Sequence, residues 1–176
     1  MPVHYEHELL TRIAKRDETA LKALYDLYYP RLARFLLRVI GNSHDVVEVI
    51  NDVFFVVWNK AADFRGDSSI STWILSIAYR KGARRLARSK PTVQLDDAEI
   101  SDPSGDHAHD TVVRRDLRRA LARISPEQRA VVELTYYFGY SYSEIGEIMG
   151  CPENTVKTRM FPARRTLRAL MEATPE

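Results

Sequence analysis

The sequence predicts an all-α protein of two small helical domains joined by a flexible acidic linker, the C-terminal one containing a helix-turn-helix. Three observations carry that expectation. Apolar residues recur at helical spacing on both sides of a central segment, no stretch makes a well-supported strand, and the charge changes sign twice along the chain. Residues 1–90 carry a net charge of +5, residues 91–113 of −6 and residues 114–176 of +3, within totals of 26 basic and 24 acidic residues. Residues 1–89 are therefore read as the first domain, 90–111 as the linker and 112–176 as the second domain. In the linker Pro91, Ser101, Pro103, Ser104 and Gly105 interrupt any periodicity. Two basic blocks suit modules that meet a polyanion, although two ordinary domains with basic surfaces fit the charge as well.

In the first domain Leu21, Leu24, Tyr28, Leu32, Phe35 and Val39 recur at helical spacing. Pro30 is expected to bend or divide that helix, and Gly41 and Asn42 to end it. Asp45 to Lys60 is rich in Val and Phe, which suits a strand. No turn residue breaks it, however, and Val46, Ile50, Val53 and Val57 form one stripe against Asp45, Glu48, Asp52 and Asn59 on the other. A helix is predicted, with Ser43 as its N-cap. A third helix runs from about Ser71 to Arg88. Ile74, Ile77, Ala78 and Leu86 face inward, and Arg80, Lys81, Arg84, Arg85 and Arg88 form a basic stripe outside. Between these helices lies a polar loop, Asp63 to Ser69, with one glycine.

Four helical patterns follow the linker. Val113, Leu117, Ala120, Leu121 and Ile124 make the first. Ser125 starts the second as N-cap, with Pro126 at the first helical position and Gln128 closing a capping box; Gly139 ends it. Ser141 and Glu144 form another capping box for the third, which runs to Met149. Gly150-Cys151-Pro152 is a turn, and the fourth begins near Glu153. A short helix, a glycine turn and a second helix with a polar, basic start make the helix-turn-helix pattern, from Ser141 to about Leu170. Burial of Ile145 and Ile148 on one helix, and of Val156, Met160, Leu167 and Leu170 on the other, leaves Asn154, Thr155, Lys157, Thr158 and Arg159 exposed. In such motifs that end of the second helix enters the major groove, where Arg, Lys and Asn read base edges. Arg164, Arg165 and Arg168 would add backbone contacts. An ordinary helical hairpin with a solvated face shares the pattern; the basic cluster after the turn favours DNA.

Four stretches then stand in a familiar order: Leu24 to Leu32, Asn51-Asp52-Val53-Phe54, Phe64-Arg65-Gly66 through Ser71-Thr72-Trp73-Ile74, and Tyr142-Ser143-Glu144-Ile145 through Thr155 to Met160. Together they resemble the extracytoplasmic-function class of bacterial RNA polymerase sigma factors over nearly the whole chain apart from the linker. The resemblance implies a division of labour. The first domain, like sigma region two, would bind the clamp coiled coil of core RNA polymerase and open the minus-ten promoter element. The second, like region four, would bind the polymerase flap and read the minus-thirty-five element. It implies a role in a stress or envelope response under an anti-sigma factor, and a linker that runs through the channel later holding RNA, although a soluble tether with no contacts fits the acidic segment equally. Its partners would be core polymerase, promoter DNA as duplex and as melted strand, and that anti-sigma factor.

The residues sort onto these roles. Phe55 projects among Asp45, Glu48, Asn51, Asp52 and Asn59, and an aromatic on an acidic face suits a protein contact better than water. Half-coverage of Phe55 by a neighbouring helix is the plainer reading; the family places its polymerase contact on this helix. Opening DNA means capturing unstacked bases. Phe64, Arg65, Asp67, Ser68 and Ser69 resemble the family's base-capturing loop, and Arg80, Lys81, Arg84 and Arg88 could follow the phosphates. Trp73 and Tyr79 read as core or loop-support residues. Two departures stand out. Asn51 occupies a position usually held by Gln, and Pro162 falls inside the recognition helix, where a kink or break near Phe161 is expected.

Other classes of function find little footing. No apolar run is long enough to span a bilayer, and the first ten residues lack the basic start and apolar core of a secretory signal. Cys151 is the only cysteine, so no disulfide framework or cysteine zinc cluster is available, and a reducing cytoplasm is the simplest setting. His107 and His109 lie among Asp106 and Asp110, but a flexible tether does not preorganise metal ligands; no metal or cofactor is expected. There is no glycine-rich phosphate loop and no convincing nucleophile–base pair, so an enzyme is not expected. The competing reading is a free-standing helix-turn-helix regulator, which explains the second domain and leaves the Phe55 face and the polar loop without purpose.

Overall fold

The computed structural model describes residues 3–88 and 119–172, all helices, turns and loops. The linker, Val113 and Leu117 lie outside the described residues. The chain divides into two compact units.

The N-terminal unit is a four-helix assembly of α1 (Val3–Ala14), α2 (Glu18–Ile40), α3 (Ser43–Lys60) and α4 (Ile70–Arg88), with a 3-10 turn at Ala61–Asp63. Helix α1 was not anticipated from sequence. Its apolar positions are few, but Leu9, Leu10 and Ile13 fall on one face and are buried against the bundle. Arg16, with φ of 66°, turns the chain. Asp17 then caps α2, accepting the backbone N–H groups of Thr19 at 2.9 Å and Ala20 at 3.2 Å. The Thr19 hydroxyl and the Arg12 guanidinium hold the Asp17 carboxyl far below the usual carboxylate range.

Helix α2 is not divided. It runs through Pro30, and Leu24, Tyr28, Leu32, Phe35 and Val39 are buried as their spacing requires. Proline takes a hydrogen-bond donor from the carbonyl four residues earlier. Here that residue is Asp26, and both it and Pro30 are exposed, so water can serve the freed carbonyl. Gly41, at φ of 82°, closes the helix and donates its N–H to Leu37.

The cap of α3 is Asn42 rather than Ser43. Its side-chain oxygen accepts the N–H groups of His44 at 2.9 Å and Asp45 at 3.4 Å, so Ser43 becomes the first helical residue. The strand alternative fails because Val46, Val49, Ile50, Val53 and Val57 all turn to one side and are buried. Helix α4 starts one residue earlier than expected, capped by Ser69, whose hydroxyl accepts the Thr72 N–H at 3.0 Å. Helices α2, α3 and α4 pack on one another, and α2 and α4 approach closely at Gly82, where a Cβ would stand 3.0 Å from the Leu36 side chain.

In the C-terminal segment the fold follows its caps. Residues 119–122 are helical, followed by α5 (Pro126–Tyr136), α6 (Tyr142–Met149) and α7 (Glu153–Glu172). Both capping boxes form. Ser125 accepts the Gln128 N–H while the Gln128 side chain accepts the Ser125 N–H at 3.0 Å. Ser141 and Glu144 repeat the arrangement, with the Ser141 N–H donated to Glu144 at 2.8 Å. Gly150 takes the left-handed conformation after α6, and the Cys151 N–H reaches back to the Gly146 carbonyl at 3.0 Å, which ends the helix sharply. The Pro152 carbonyl accepts the N–H groups of Thr155 at 2.8 Å and Val156 at 3.3 Å in the first turn of α7. The break expected at Pro162 does not occur: α7 is continuous. The carbonyl that loses its donor belongs to Thr158, again exposed.

The turn leaves no room at Gly146. A Cβ there would lie 2.8 Å from the Cys151 backbone oxygen, which cannot rotate away. Gly146→Ala is therefore expected to destabilise the helix-turn-helix by about 1–3 kcal/mol, measured by denaturant unfolding. An unchanged unfolding midpoint would refute the close approach.

Candidate nucleic-acid and partner interfaces

Helix α3 presents one face outward. Asn51, Asp52, Phe55 and Asn59 are exposed on it, and Phe55 retains 69% of its accessible surface, so the half-covered alternative does not hold. Asn59 is fixed by donating its side-chain amide to the Phe55 carbonyl at 2.8 Å. Two further residues of this surface escaped the sequence reading. Val47 is 43% exposed and lies two turns before Phe55. Tyr25 comes from α2, packs its ring at a tilt against Phe54 (centroids 4.8 Å apart) and Tyr29 (5.4 Å), and brings its hydroxyl to Asn51 at 3.5 Å. Partial burial, with the nearby Tyr29 and Asp26, pushes the Tyr25 phenol up. A contact between residues so distant in sequence leaves no signal in local periodicity.

Asp45 does not belong to the exposed stripe. It is 7% exposed, and Arg85 of α4 donates to it from Nε at 2.8 Å. Arg85 also pairs with Glu48 at 2.8 Å, and its own pKa is raised, first by the hydrogen bond to Asp45. One turn on, Lys81 pairs with Asp52 at 3.2 Å. The predicted basic stripe of α4 is therefore two ridges. Lys81 and Arg85 turn towards α3 and join its acids. Arg80, Arg84 and Arg88 are exposed on a separate ridge, with Arg80 donating to the Ser76 hydroxyl at 3.2 Å. Lys81 is thus not grouped with the other three as expected. Helical spacing places all five on a broad polar face; only the neighbouring helix divides them.

The loop before α4 is held at its root. Phe64 is half-buried, its ring 5.2 Å from Trp73 and 6.3 Å from His7, so it anchors the loop rather than standing open to a base. Trp73 supports it, and Tyr79 is buried. Arg65 and Asp67 are exposed around Gly66, whose left-handed φ of 79° turns the loop. Ser68 is half-buried. The Ser69 side chain is exposed but also serves as cap, with Thr72 Oγ1 at 2.8 Å.

On α7 Val156, Met160 and Ala163 are buried and set the inner face. Asn154, Lys157, Thr158, Arg164 and Arg165 gather on the outer one. Lys157 pairs with Glu153 at 2.7 Å, and the Thr158 hydroxyl donates to the Thr155 carbonyl at 2.9 Å. Arg159 is not on this face. It is half-buried, points a guanidinium nitrogen at Cys151 Sγ at 3.5 Å, and its charge helps hold the Glu127 carboxyl down. Burial pushes Glu127 up, but the Ser125 hydroxyl, a backbone N–H and the charges of Arg159 and Arg129 outweigh it. Thr155 is likewise half-buried, one turn before Arg159. Phe161, unselected by sequence, stands 73% exposed among the outer residues. No group of His, Cys, Asp and Glu among the described residues could hold a metal ion, and no described helix is long and apolar enough to cross a membrane. His107 and His109 lie outside the described residues.

Residues 24–92 match the family Sigma-70 region 2, and residues 114–167 match Sigma-70, region 4. The ECF RNA polymerase sigma factor SigK of Mycolicibacterium vanbaalenii is 30% identical over 171 residues, 91% of this chain and 86% of that protein. SigK of Mycobacterium tuberculosis is 29% identical over 93% of this chain and 92% of its own. Among solved structures, CnrH in complex with the cytosolic domain of CnrY aligns with a TM-score of 0.71 and 22% identity, covering 97% of this chain and 99% of that one. The sigma factor RpoE from Bartonella quintana, bound to the anti-sigma factor NepR, aligns at 0.65 and 24% identity, covering 88% and 98%. Both share the fold.

The Asp45–Arg85 pair makes a prediction of its own. Asp45→Asn and Arg85→Met should each lower the urea midpoint, and the double variant should lose less than the sum, because neither charge is then left facing an empty position. Strict additivity would mean that the two side chains do not interact.

Proposed function

The chain belongs to the ECF family of RNA polymerase sigma factors, and on that premise we propose how its two parts share promoter-specific initiation. Residues 1–89 dock on the clamp coiled coil of core polymerase and capture the melted minus-ten strand. Residues 112–176 meet the flap and read the minus-thirty-five duplex, and the acidic segment 90–111 connects them through a basic channel.

The observation that carries this reading is the pairing of two unlike surfaces on adjacent helices. Phe55, with Asn51, Asp52 and Asn59 around it, is an apolar anchor in a polar setting, the usual make-up of a protein-binding hot spot. Arg80, Arg84 and Arg88 form an exposed cationic ridge on the helix that follows the Arg65–Asp67 loop, which suits a phosphate backbone and its unpaired bases. On α7 the same logic assigns Asn154, Lys157 and Thr158 to base edges, and Arg164 and Arg165 to phosphates. A free-standing regulator would need only α7.

The exposed rings of Phe55 and Phe161 are sites that a protein would have to keep covered when the chain is idle. We infer that an anti-sigma partner does so here, RpoE having been solved in complex with an anti-sigma factor, NepR, and that the chain acts in the cytoplasm as a stress- or envelope-responsive switch.

Run-off transcription with core polymerase tests the whole reading: addition of the chain should create specific start sites, and a duplex-binding repressor would create none. Asp52→Arg should weaken core binding at least about tenfold, since it sets a cation beside Lys81 and reverses the charge offered to the partner; full retention in a core pull-down would remove α3 from that contact. Replacing Arg80 and Arg84 by Ala should reduce promoter opening and lower its log–log salt slope by roughly 0.7 per lost strand phosphate. Normal opening with an unchanged slope would overturn their assignment.

A further inference from the structure

Helix α1 precedes residues 24–92, the part of the chain that matches Sigma-70 region 2, and it brings one exposed ring to the loop before α4. Its buried positions are Leu9, Leu10 and Ile13. At about 100° per residue, His7 lies roughly 110° from the middle of that stripe, at its border. There its ring meets Phe64 edge to face, with centroids 6.3 Å apart. Phe64 is half-buried and packs against Trp73 at 5.2 Å. The Trp73 carbonyl accepts the Ser76 hydroxyl at 2.7 Å, and Arg80 donates to Ser76 at 3.2 Å. His7, Phe64, Trp73 and Arg80 are therefore linked by contact from α1 to the cationic ridge of α4. The group at one end is an exposed imidazole and at the other an exposed guanidinium.

We propose that His7 is a single-strand contact: its imidazole stacks on a base of the melted minus-ten strand, next to the base that the loop captures. The proposal rests on the reading of the Arg65–Asp67 loop as the captor of unpaired DNA. Rings joined to cations select a strand of unpaired nucleotides, since every base offers a flat face and every phosphate a charge. Histidine is among the side chains on which unstacked bases lie. Phe64 is committed to holding the loop, so the exposed ring at this point is His7. The acids of α1 stand aside. Glu6 and Glu8 flank His7 in sequence and so point roughly 100° to either side of it. The residues that neighbour it on the helix surface, His4, Leu10 and Thr11, carry no carboxylate to repel a phosphate. Arg65, exposed on the loop, and Arg80, exposed on the ridge, supply the cations along the strand.

The test uses holoenzyme, core polymerase loaded with the full chain, on a premelted promoter that it transcribes. Bases of the displaced minus-ten strand are removed one at a time, leaving the phosphates in place. Wild-type holoenzyme should bind at least about fivefold more weakly at two adjacent abasic positions, one for the loop and one for His7. His7→Ala should bind the intact strand with a similar loss and be indifferent to base removal at one of the two, while staying sensitive at the other. His7→Phe, which keeps a ring, should retain the sensitivity; His7→Lys, which keeps only a cation, should not. An abasic profile of His7→Ala identical to that of the wild type overturns the proposal while leaving the loop as captor. So does a His7→Ala variant that loses sensitivity at both positions together, which would make His7 a support for Phe64 alone. A wild-type holoenzyme indifferent to base removal throughout the strand overturns the capture reading itself, and His7 with it.

Discussion

The ion pairs between α3 and α4 decide what each helix has left to offer. Asp45 is inside the protein, and a carboxylate there needs a partner; Arg85 supplies it and reaches Glu48 as well. Lys81 and Asp52 repeat the arrangement at the more exposed end. Exposed pairs of this kind contribute little stability singly. Their larger effect is to assign direction. Two of the five cations on α4 are drawn towards α3, and the remaining three form a single ridge. The acids of α3 are correspondingly drawn towards α4, which leaves the Phe55 ring as the large apolar group standing free among them.

Much of the fold was legible because local chemistry and the global arrangement agree. The capping boxes at Ser125 and Ser141 and the turn at Gly150 follow from short-range rules that no tertiary contact overrides. The stripe of Val46, Ile50, Val53 and Val57 distinguishes a helix from a strand by period alone, despite a β-favouring composition. Local rules misled where two residues compete for one role, as with Asn42 and Ser43. They also misled where the effect of a residue depends on solvent, as at Pro30 and Pro162. A proline inside a helix orphans one carbonyl, and at both sites the residue that carries it, Asp26 or Thr158, is exposed.

The candidate sites were legible in outline and less so in detail, for a different reason. Helical spacing says which residues share a broad face; it does not say which edge of that face a neighbour will cover. Arg159 illustrates this. Its position in sequence matches Lys157 and Thr158, yet it lies on the side of α7 where Cys151 and the charge of Glu127 attract it. Tyr25 and Val47 illustrate the converse, residues added to a surface by packing alone. Phe161 was passed over for its type: the sequence reading left it out of the buried stripe and, as an apolar residue, out of the exposed polar set as well.

Phe64 joins three parts of the chain at one point. Its ring meets Trp73 on α4 and His7 on α1, so the foundation of the loop is shared between two helices. Helix α1, Val3–Ala14, is in that sense a footing for the loop. Shortening or fusing the chain at this end changes the platform on which the loop is mounted.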